Sequence, residues 1–204
     1  MKTIYQETIG REEIDTFPIF SYEGDIQVID DPKSVEEAVS YLAAHGRLGF
    51  DTETRPSFRK GESHSVSLLQ LAVPERVYLF RLNKCGFPLS LRRLMEEEGI
   101  MKIGVGIRDD IRALEKLGSF KPASFVDLQE YVKKFGIEEK AFSKLMAIIF
   151  RVRISKRQRT SNWEVPVLAP SQLKYAATDA WGALRMYGEL TDQYRQEEAR
   201  GTVK

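Results

Sequence analysis

A short apolar strand that ends in two carboxylates constrains the fold of this chain more than any other feature. Within Leu48–Thr54, Asp51 and Glu53 are two residues apart, so a strand directs both side chains to the same face. Two like charges about 4 Å apart cost roughly 4 kcal/mol at an effective dielectric of about 20. A divalent cation with oxygen ligands is the usual compensation for that cost. An Asp-x-Glu also occurs by chance in solvated loops, so the pair alone does not establish a metal site.

The pattern of strands and helices places this acidic strand in a mixed α/β domain. The sequence predicts strands at 26–30, 47–51, 66–73, 77–80, 101–105 and 124–127, and helices at 34–45, 89–98, 109–117 and from Pro170 onward. The turn Pro74-Glu75-Arg76 indicates a hairpin between two of the strands. Hairpins followed by alternating strands and helices predict a mixed sheet with helices on both faces. We expect residues 1–24 to form an arm laid over the body and residues 25–204 to form one domain.

Composition excludes several classes of protein. Apolar residues make up 42% and charged residues 30%, which excludes disordered and collagen-like chains. Apolar runs such as Leu145–Phe150 are too short to span a bilayer, and Met1–Glu7 does not resemble a signal peptide. The single cysteine, Cys85, excludes an intrachain disulfide framework and a Cys-based zinc site. A reducing, cytoplasmic location is therefore predicted.

A second acidic signal lies where an apolar strand runs into glycines and a helix begins. The helix starts on Asp109 and Asp110, and acidic residues are ordinary at a helix N-terminus, where the macrodipole is positive. Gly104 and Gly106 also fit part of a nucleotide-binding turn. That interpretation is weak, because Asp109 stands where the third glycine belongs and would repel a pyrophosphate.

A third signal lies on the last predicted helix. Tyr175 and Asp179 are four residues apart, so a helix places both on one face. Ala176, Ala177 and Ala180 are small enough to let this helix approach the sheet closely. Taken alone, Tyr175 fits equally well as a core residue whose hydroxyl is satisfied by a neighbour.

Together, the three segments resemble the DEDD superfamily of 3′–5′ exonucleases, in the branch with tyrosine in its third motif. The matching motifs are Phe50-Asp51-x-Glu53-Thr54, Gly104-Val105-Gly106-Ile107-x-x-Asp110 and Tyr175-x-x-x-Asp179. The segment Ser161-Asn162-Trp163 is similar to a stretch in Werner-type exonuclease domains and ribonuclease D relatives. Because the order and the separations also match, the resemblance covers residues from about 26 to 192.

The resemblance implies an RNase H-like fold with a mixed central sheet flanked by helices. It also implies a four-carboxylate cluster that holds two Mg²⁺ or Mn²⁺ ions, in which Asp51 bridges the ions. Glu53 and Asp179 would complete one ion site and Asp110 would contribute to the other. Two ions about 3.5–4 Å apart can clamp the attacking and leaving oxygens of a phosphodiester. Tyr175 would orient the attacking water.

One register choice remains within the second motif. Asp109 and Asp110 are adjacent and point in different directions on a helix. Alignment of Gly106 and Ile107 with the family pattern selects Asp110 as the metal ligand.

A basic segment precedes the third motif and is a candidate for holding the substrate. Its five cations are Arg151, Arg153, Lys156, Arg157 and Arg159. Such a run is either a solvated loop or a contact with a phosphate backbone, and its position beside the third motif favours the contact. Arg55, Arg59 and Lys60 are further candidates. Trp163 fits either stacking on a base or structural anchoring, and we assign His64 no catalytic role.

The sequence thus predicts a metal-dependent 3′–5′ exonuclease that releases nucleoside 5′-monophosphates from a single-stranded 3′ end. DNA and RNA present the same phosphodiester, so either is an expected partner, and no membrane is. A catalytically silent nucleic-acid-binding module on the same fold is the alternative. Binding alone would not need a self-repelling acidic cluster, which favours the enzyme. A nucleotide-dependent protein that uses the Gly104–Gly106 turn is a third, weaker possibility.

Overall fold

The computed structural model of this chain describes residues 5–57, 59 and 61–199. The strands are β1 (Ile19–Phe20), β2 (Asp25–Ile29), β3 (Arg47–Thr54), β4 (Val66–Val73), β5 (Arg76–Phe80), β6 (Met101–Gly104), β7 (Phe125–Asp127) and β8 (Arg153–Ile154). The α-helices are α1 (Arg11–Asp15), α2 (Pro32–Ala43), α3 (Leu82–Cys85), α4 (Leu89–Glu96), α5 (Arg108–Glu115), α6 (Leu128–Tyr131), α7 (Phe142–Phe150) and α8 (Pro170–Ala199). A 3₁₀ helix covers Val132–Phe135.

Six of the strands form one mixed sheet in the order β2-β5-β4-β3-β6-β7. Strand β4 pairs antiparallel with both β3 and β5, which confirms the predicted hairpin. Strands β2 and β5, β3 and β6, and β6 and β7 pair in parallel. The predicted mixed sheet is therefore confirmed, and β3 lies inside it rather than at an edge.

Strand β3 is longer than predicted. The sequence indicated an end at Asp51, whereas the strand continues to Thr54 through pairing with β4. The pairing is interrupted by a bulge between Glu53 and Thr54. Because Glu53 precedes this bulge, it keeps the strand alternation and faces the same side as Asp51.

Helices cover both faces of the sheet. On one face, buried residues of α2, α4 and α5 join Leu48 and Phe50 in a single core cluster. On the other face, Ala176, Ala177 and Ala180 of α8 pack with Leu68 and other sheet residues. None of the described helices is long and apolar enough to cross a membrane.

The N-terminal segment is tied to the body through a second, two-stranded sheet. Strand β1 pairs in parallel with β8, which aligns Ile19 with Arg153. The ring of Phe20 stacks on Trp181 of α8 at a centroid distance of 5.7 Å. Sequence periodicity predicted only an arm here, because two-residue strands carry no repeating pattern. The arm therefore pairs with β8 and packs against α8.

Candidate active site

Strand β3 presents Asp51 and Glu53 to helix α8. Gly49 precedes them on the same face, and a Cβ at Gly49 would lie 2.8 Å from the carbonyl carbon of Ala180. A side chain at position 49 would therefore hold α8 away from the sheet. The glycine lets the helix settle onto the strand at the point where the two carboxylates project.

Helix α8 adds the third carboxylate. Small residues at Ala176 and Ala180 are fully buried against the sheet, so the face that carries Asp179 comes close to β3. Asp51, Glu53 and Asp179 each present one carboxylate oxygen, and these oxygens all lie within 4.8 Å of one another. Asp179 is only 9% exposed. Asp179 is thus brought to Asp51 and Glu53 although it lies more than 120 positions after them in the chain.

Asp110 approaches β3 from a different direction. It lies in the first turn of α5 and accepts a hydrogen bond from the hydroxyl of Thr52. Since Thr52 alternates to the face opposite Asp51, Asp110 stands beside the three-carboxylate cluster rather than inside it. Its charge still contributes to the raised pKa values of Asp51 and Glu53. The fourth predicted carboxylate is therefore close to the site but has its own partner.

The adjacent Asp109 faces solvent. Its side chain is 93% exposed and pairs with Arg112 at 3.5 Å on the same helix. Geometry therefore favours the alignment that selected Asp110 over Asp109.

The cluster is electrostatically strained as it stands. Burial raises the pKa of Asp51 well above its ordinary value, and the charges of Asp179, Glu53 and Asp110 raise it further. Burial also raises the pKa of Glu53 to about 9, with additional contributions from Asp179 and Asp110. Burial is likewise the main cause of the raised pKa of Asp179. At neutral pH the charged forms of these groups need a compensating positive charge.

No side chain supplies that charge within the described part of the chain. The ion pairs found there involve none of Asp51, Glu53 and Asp179. Carboxylate oxygens are hard ligands that suit Mg²⁺ and Mn²⁺. The donor set therefore fits a divalent cation.

Tyr175 lies on α8 one turn before Asp179, next to the cluster. Burial and then the charges of Asp179, Glu53 and Asp51 raise the pKa of its hydroxyl above the ordinary tyrosine value. The hydroxyl therefore stays protonated and acts as a hydrogen-bond donor in this setting. Its effect on Asp179 is that of a donor, because it lowers the pKa of that carboxyl.

The structure corrects the assignment of Trp163 to substrate binding. The indole is fully buried, so a nucleic-acid base cannot stack on it. Its ring lies 6.2 Å from that of Tyr175, centroid to centroid. The indole Nε1 has no partner at hydrogen-bonding geometry, yet it is near enough to Glu53 to lower the pKa of that carboxyl. Trp163 thus anchors the wall of the site from inside, which was the other interpretation of the sequence.

A cavity of about 190 Å³ opens above the carboxylates. Asp51, Tyr175 and Asp179 form part of its lining, and two cations of the basic segment, Lys156 and Arg159, form another part. A cleft that contains a carboxylate cluster on one side and two exposed cations on another can accept a phosphodiester. The cations would contact the anionic backbone.

The other cations of the basic segment point elsewhere. Arg157 lines a neighbouring cleft of about 240 Å³, which Tyr175 also lines. Arg151 lies over the ring of Phe17, 4.8 Å from its centroid, and Arg153 pairs with Asp15 at 3.7 Å. Arg151 and Arg153 therefore contact the N-terminal segment, although the sequence grouped them with the substrate-binding residues.

The cations predicted to contact the substrate after the first motif also differ in their surroundings. Arg55 pairs with Glu164 at 3.3 Å and lines a small cleft with Thr160 and Asn162. Arg59 is exposed. Lys60 lies outside the described residues, so its predicted contact stays a prediction.

The glycines of the second motif have a structural function. A Cβ at Gly104 would lie 2.5 Å from the carbonyl oxygen of Phe50, so β6 can approach β3 only with glycine there. Gly106 has φ +72°, and its N–H donates to Asp127 at 2.8 Å. Because this N–H already has a partner, the turn is poorly suited to cradle a phosphate. The nucleotide-binding interpretation loses its main support.

Sequence reasoning missed the part of the cavity wall that α7 supplies. Ala141, just before α7, and Phe142 and Ser143 at its start line the cavity. No motif marks them, because their position depends on how α7 packs against α8. The only sequence signal at Phe142 is an aromatic residue at the start of a helix rich in apolar residues.

Comparisons with known proteins agree with these motifs. A family model described as 3′–5′ exonuclease matches residues 26–195. The bifunctional 3′–5′ exonuclease/ATP-dependent helicase WRN of Mus musculus is 31% identical over 196 residues, which are 93% of this chain and 14% of that protein. A 3′–5′ exonuclease of Arabidopsis thaliana is 32% identical over 175 residues, which are 82% of this chain and 58% of that protein. The chain spans less than two thirds of the length of these relatives.

A solved structure supports the same fold. The chain is similar to the crystal structure of the Nibbler EXO domain of Aedes aegypti, with a TM-score of 0.77 and 22% identity. The match covers 87% of this chain and 93% of that chain. The RNase H-like fold expected from the sequence is thereby confirmed.

Proposed function

The chain belongs to the 3′–5′ exonuclease family of the DEDD type, and from that membership we propose that it hydrolyses phosphodiester bonds from the 3′ end of DNA or RNA. Each cycle would release one nucleoside 5′-monophosphate. The observation that carries the proposal is the cluster of Asp51, Glu53 and Asp179. Two of its members, Asp51 and Asp179, line a cavity whose wall also bears Lys156 and Arg159. Residues 25–204 would form the catalytic unit, with the N-terminal segment packed against it.

The proposed cofactors are two divalent ions, Mg²⁺ or Mn²⁺. Asp51, Glu53 and Asp179 would hold one ion, and Asp110 together with Asp51 would contribute to the other. When bound, such ions supply Lewis-acid activation of water and stabilise the charge that develops on the phosphate oxygens. The mutual proximity of one carboxylate oxygen from each of the three residues supports the first ion. Asp110, which accepts a hydrogen bond from Thr52, would take part in the second site.

Tyr175 is proposed to position the attacking water. An ordinary tyrosine hydroxyl is protonated near neutral pH, and in the metal-free site burial and the surrounding carboxylates raise its pKa further. A protonated hydroxyl can donate to a water or to a phosphate oxygen but cannot remove a proton. The residue would therefore orient the nucleophile rather than act as the base.

The substrate would enter past the basic segment. Lys156 and Arg159 line the cavity and can pair with phosphates near the scissile bond. Arg157 and Arg55, in neighbouring clefts, would contact the strand further away. These contacts are independent of sequence, and a single strand would supply its 3′ end most easily. A cytoplasmic location stays a prediction from the cysteine content.

A catalytically silent binding module is the second candidate. A surface that only binds nucleic acid would have no use for clustered carboxylates whose pKa values are raised by burial and by one another. Without bound cations, the negative charge of the cluster would repel a polyanionic ligand. The structure therefore favours the enzyme over the binding module.

The test is digestion of matched DNA and RNA strands of identical sequence, each labelled at the 5′ end. With Mg²⁺ or Mn²⁺ we expect a ladder of products that shorten from the 3′ end, and a chelator should abolish it. Asp51→Asn should leave both strands intact while the protein still folds. Binding of the strands without shortening at any metal concentration would support the silent module. The ratio of DNA to RNA cleavage rates identifies the sugar that the site prefers.

A further inference from the structure

Gln70 is a fully buried polar residue in the middle of β4. Neither its Nε2 nor its Oε1 has a hydrogen-bond partner in the described structure. A carboxamide offers two donor hydrogens and an acceptor oxygen, and a buried amide almost always uses them. An amide buried without partners among apolar side chains therefore needs an explanation.

The register of the sheet places Gln70 beside the acidic cluster. In the antiparallel pair of β3 and β4, Gln70 stands directly opposite Asp51. Directly opposed residues of an antiparallel pair project from the same face and have neighbouring Cβ atoms. The Gln70 side chain is therefore directed, like that of Asp51, toward α8.

The other neighbours of Gln70 on this face are apolar. Leu68 and Ala72 flank it along β4, and Leu79 is its opposed residue on β5. All three are fully buried and belong to the core cluster that includes the alanines of α8. Asp51 is the polar side chain that the pairing of these strands brings next to the amide.

From this arrangement, which rests on the proposed function, we infer that Gln70 is a positioning residue for Asp51. In the metal-loaded protein, its Nε2, unpartnered in the described structure, would donate to one carboxylate oxygen of Asp51 and fix the orientation in which that carboxylate binds the cation. Carboxylates that ligate metals are commonly held by hydrogen bonds of this kind, and loss of such a bond typically weakens metal binding by about 10- to 100-fold. The amide of Gln70 thus acts through Asp51 and touches neither metal nor substrate.

The experiment compares Gln70→Met with Gln172→Met. Methionine matches the length of glutamine and removes the amide. Gln172 is also buried, but its amide is satisfied: Nε2 donates to the Asn162 carbonyl at 3.2 Å, and Oε1 accepts from the Ala169 N–H at 3.0 Å. The dissociation constant for Mn²⁺, measured from the signal of free Mn²⁺ by electron paramagnetic resonance, is the readout that does not depend on activity.

The two variants should give opposite results. Gln70→Met should keep the melting temperature of the wild-type protein in chelator, yet bind Mn²⁺ about 10- to 100-fold more weakly and show a lower kcat at an unchanged KM. Gln172→Met should lower the melting temperature and leave the Mn²⁺ dissociation constant unchanged. Gln70→Leu removes the same amide with a different side-chain shape and should repeat the loss of Mn²⁺ affinity.

Several outcomes would overturn the inference. An Mn²⁺ dissociation constant of Gln70→Met within twofold of the wild-type value would do so. So would failure of both Gln70 variants to fold, because Gln70 would then serve the core itself. If the wild-type protein bound no Mn²⁺ and cleaved no strand, the proposed function would fail as a whole. Wild-type binding that Gln70→Met leaves unaltered would remove the positioning role alone.

Discussion

Gly49 of β3 lies directly against the backbone of Ala180 in α8, so that a Cβ at Gly49 would come within 2.8 Å of the Ala180 carbonyl carbon. This contact sets the distance between the strand that carries Asp51 and the helix that carries Asp179. The acidic cluster therefore depends on a residue with no side chain at all.

Gly49→Ala should disrupt both stability and metal binding. Alanine would collide with a backbone atom, which cannot move aside as a flexible side chain can, and overpacking of this kind costs about 1–3 kcal/mol or more. We expect a lower midpoint in urea unfolding and loss of Mn²⁺-dependent stabilisation. Gly188→Ala in α8 is the control, because no atom lies within 4 Å of a Cβ at Gly188. It should raise stability by up to about 1 kcal/mol through helix propensity. Equal behaviour of the two variants would contradict the role of Gly49.

Much of the fold could be predicted from the sequence because its strands and helices are long enough to repeat their patterns. The hairpin of β4 and β5, the mixed sheet and the start of α8 at Pro170 all follow from periodicity and turn residues. The grouping of Asp51, Glu53 and Asp179 was predicted because each stands in a motif with local context.

The rest depended on tertiary packing, which local patterns do not carry. Trp163 follows a basic segment and could as well have been exposed, but the packing of α8 buries it. Arg151 and Arg153 belong to the same charged run as Arg159, yet the β1–β8 pairing turns them toward the N-terminal segment. Gln70 carries no sequence signal, since its importance comes from its partner across the sheet.

The metal-free protein should lose stability as the pH rises. The folded-state pKa values of Asp51, Asp179 and Glu53 are raised, that of Glu53 to about 9. The unfolded chain releases these protons at about pH 4, whereas the folded chain keeps them to higher pH. The stabilisation of the folded state by these protons is therefore complete below about pH 4 and disappears as the pH rises through the folded-state pKa values. Unfolding midpoints in chelator between pH 5 and pH 9 measure this trend. Glu53→Gln should show a smaller decline than the wild-type protein.

Mn²⁺ should reverse that decline. Because protons compete with the cation for the same oxygens, the rise in melting temperature on adding Mn²⁺ should be larger at pH 8 than at pH 5. A rise of the same size at both pH values would indicate binding away from the cluster. Asp51→Asn should show little rise at either pH.

Asp110→Asn and Asp109→Asn should separate the two adjacent acids of the second motif. Asp110 accepts a hydrogen bond from Thr52 beside the cluster, whereas Asp109 is 93% exposed. We expect Asp110→Asn to reduce kcat by at least about 100-fold, the range found when a group that stabilises transition-state charge is removed. Asp109→Asn should stay within about twofold, because exposed surface changes rarely exceed about 0.5 kcal/mol. Loss of activity in Asp109→Asn alone would reverse the alignment of the motif.

Tyr175→Phe should reduce kcat by about fivefold, since it removes one hydrogen bond worth about 1 kcal/mol without removing a base. An ordinary tyrosine hydroxyl has a pKa of about 10 and is therefore protonated near neutral pH. The shape of the pH–rate profile should therefore be the same in variant and wild-type protein. A decrease in kcat beyond about 1,000-fold, together with a changed alkaline limb, would instead assign proton removal to this residue.

Single substitutions in the basic segment should distinguish cations that touch the substrate from those that hold the N-terminal segment. Lys156 and Arg159 line the cavity, whereas Arg151 lies over Phe17. Each lost phosphate contact with a single strand reduces the slope of log affinity against log salt by about 0.7. We expect that change for Lys156→Ala and for Arg159→Ala in binding of a single-stranded oligonucleotide, measured in chelator to prevent cleavage. Arg151→Ala should leave the slope unchanged, because its guanidinium is engaged outside the cavity. A reduced slope in Arg151→Ala, with no change in Arg159→Ala, would move the substrate path from the cavity to the N-terminal side of the basic segment.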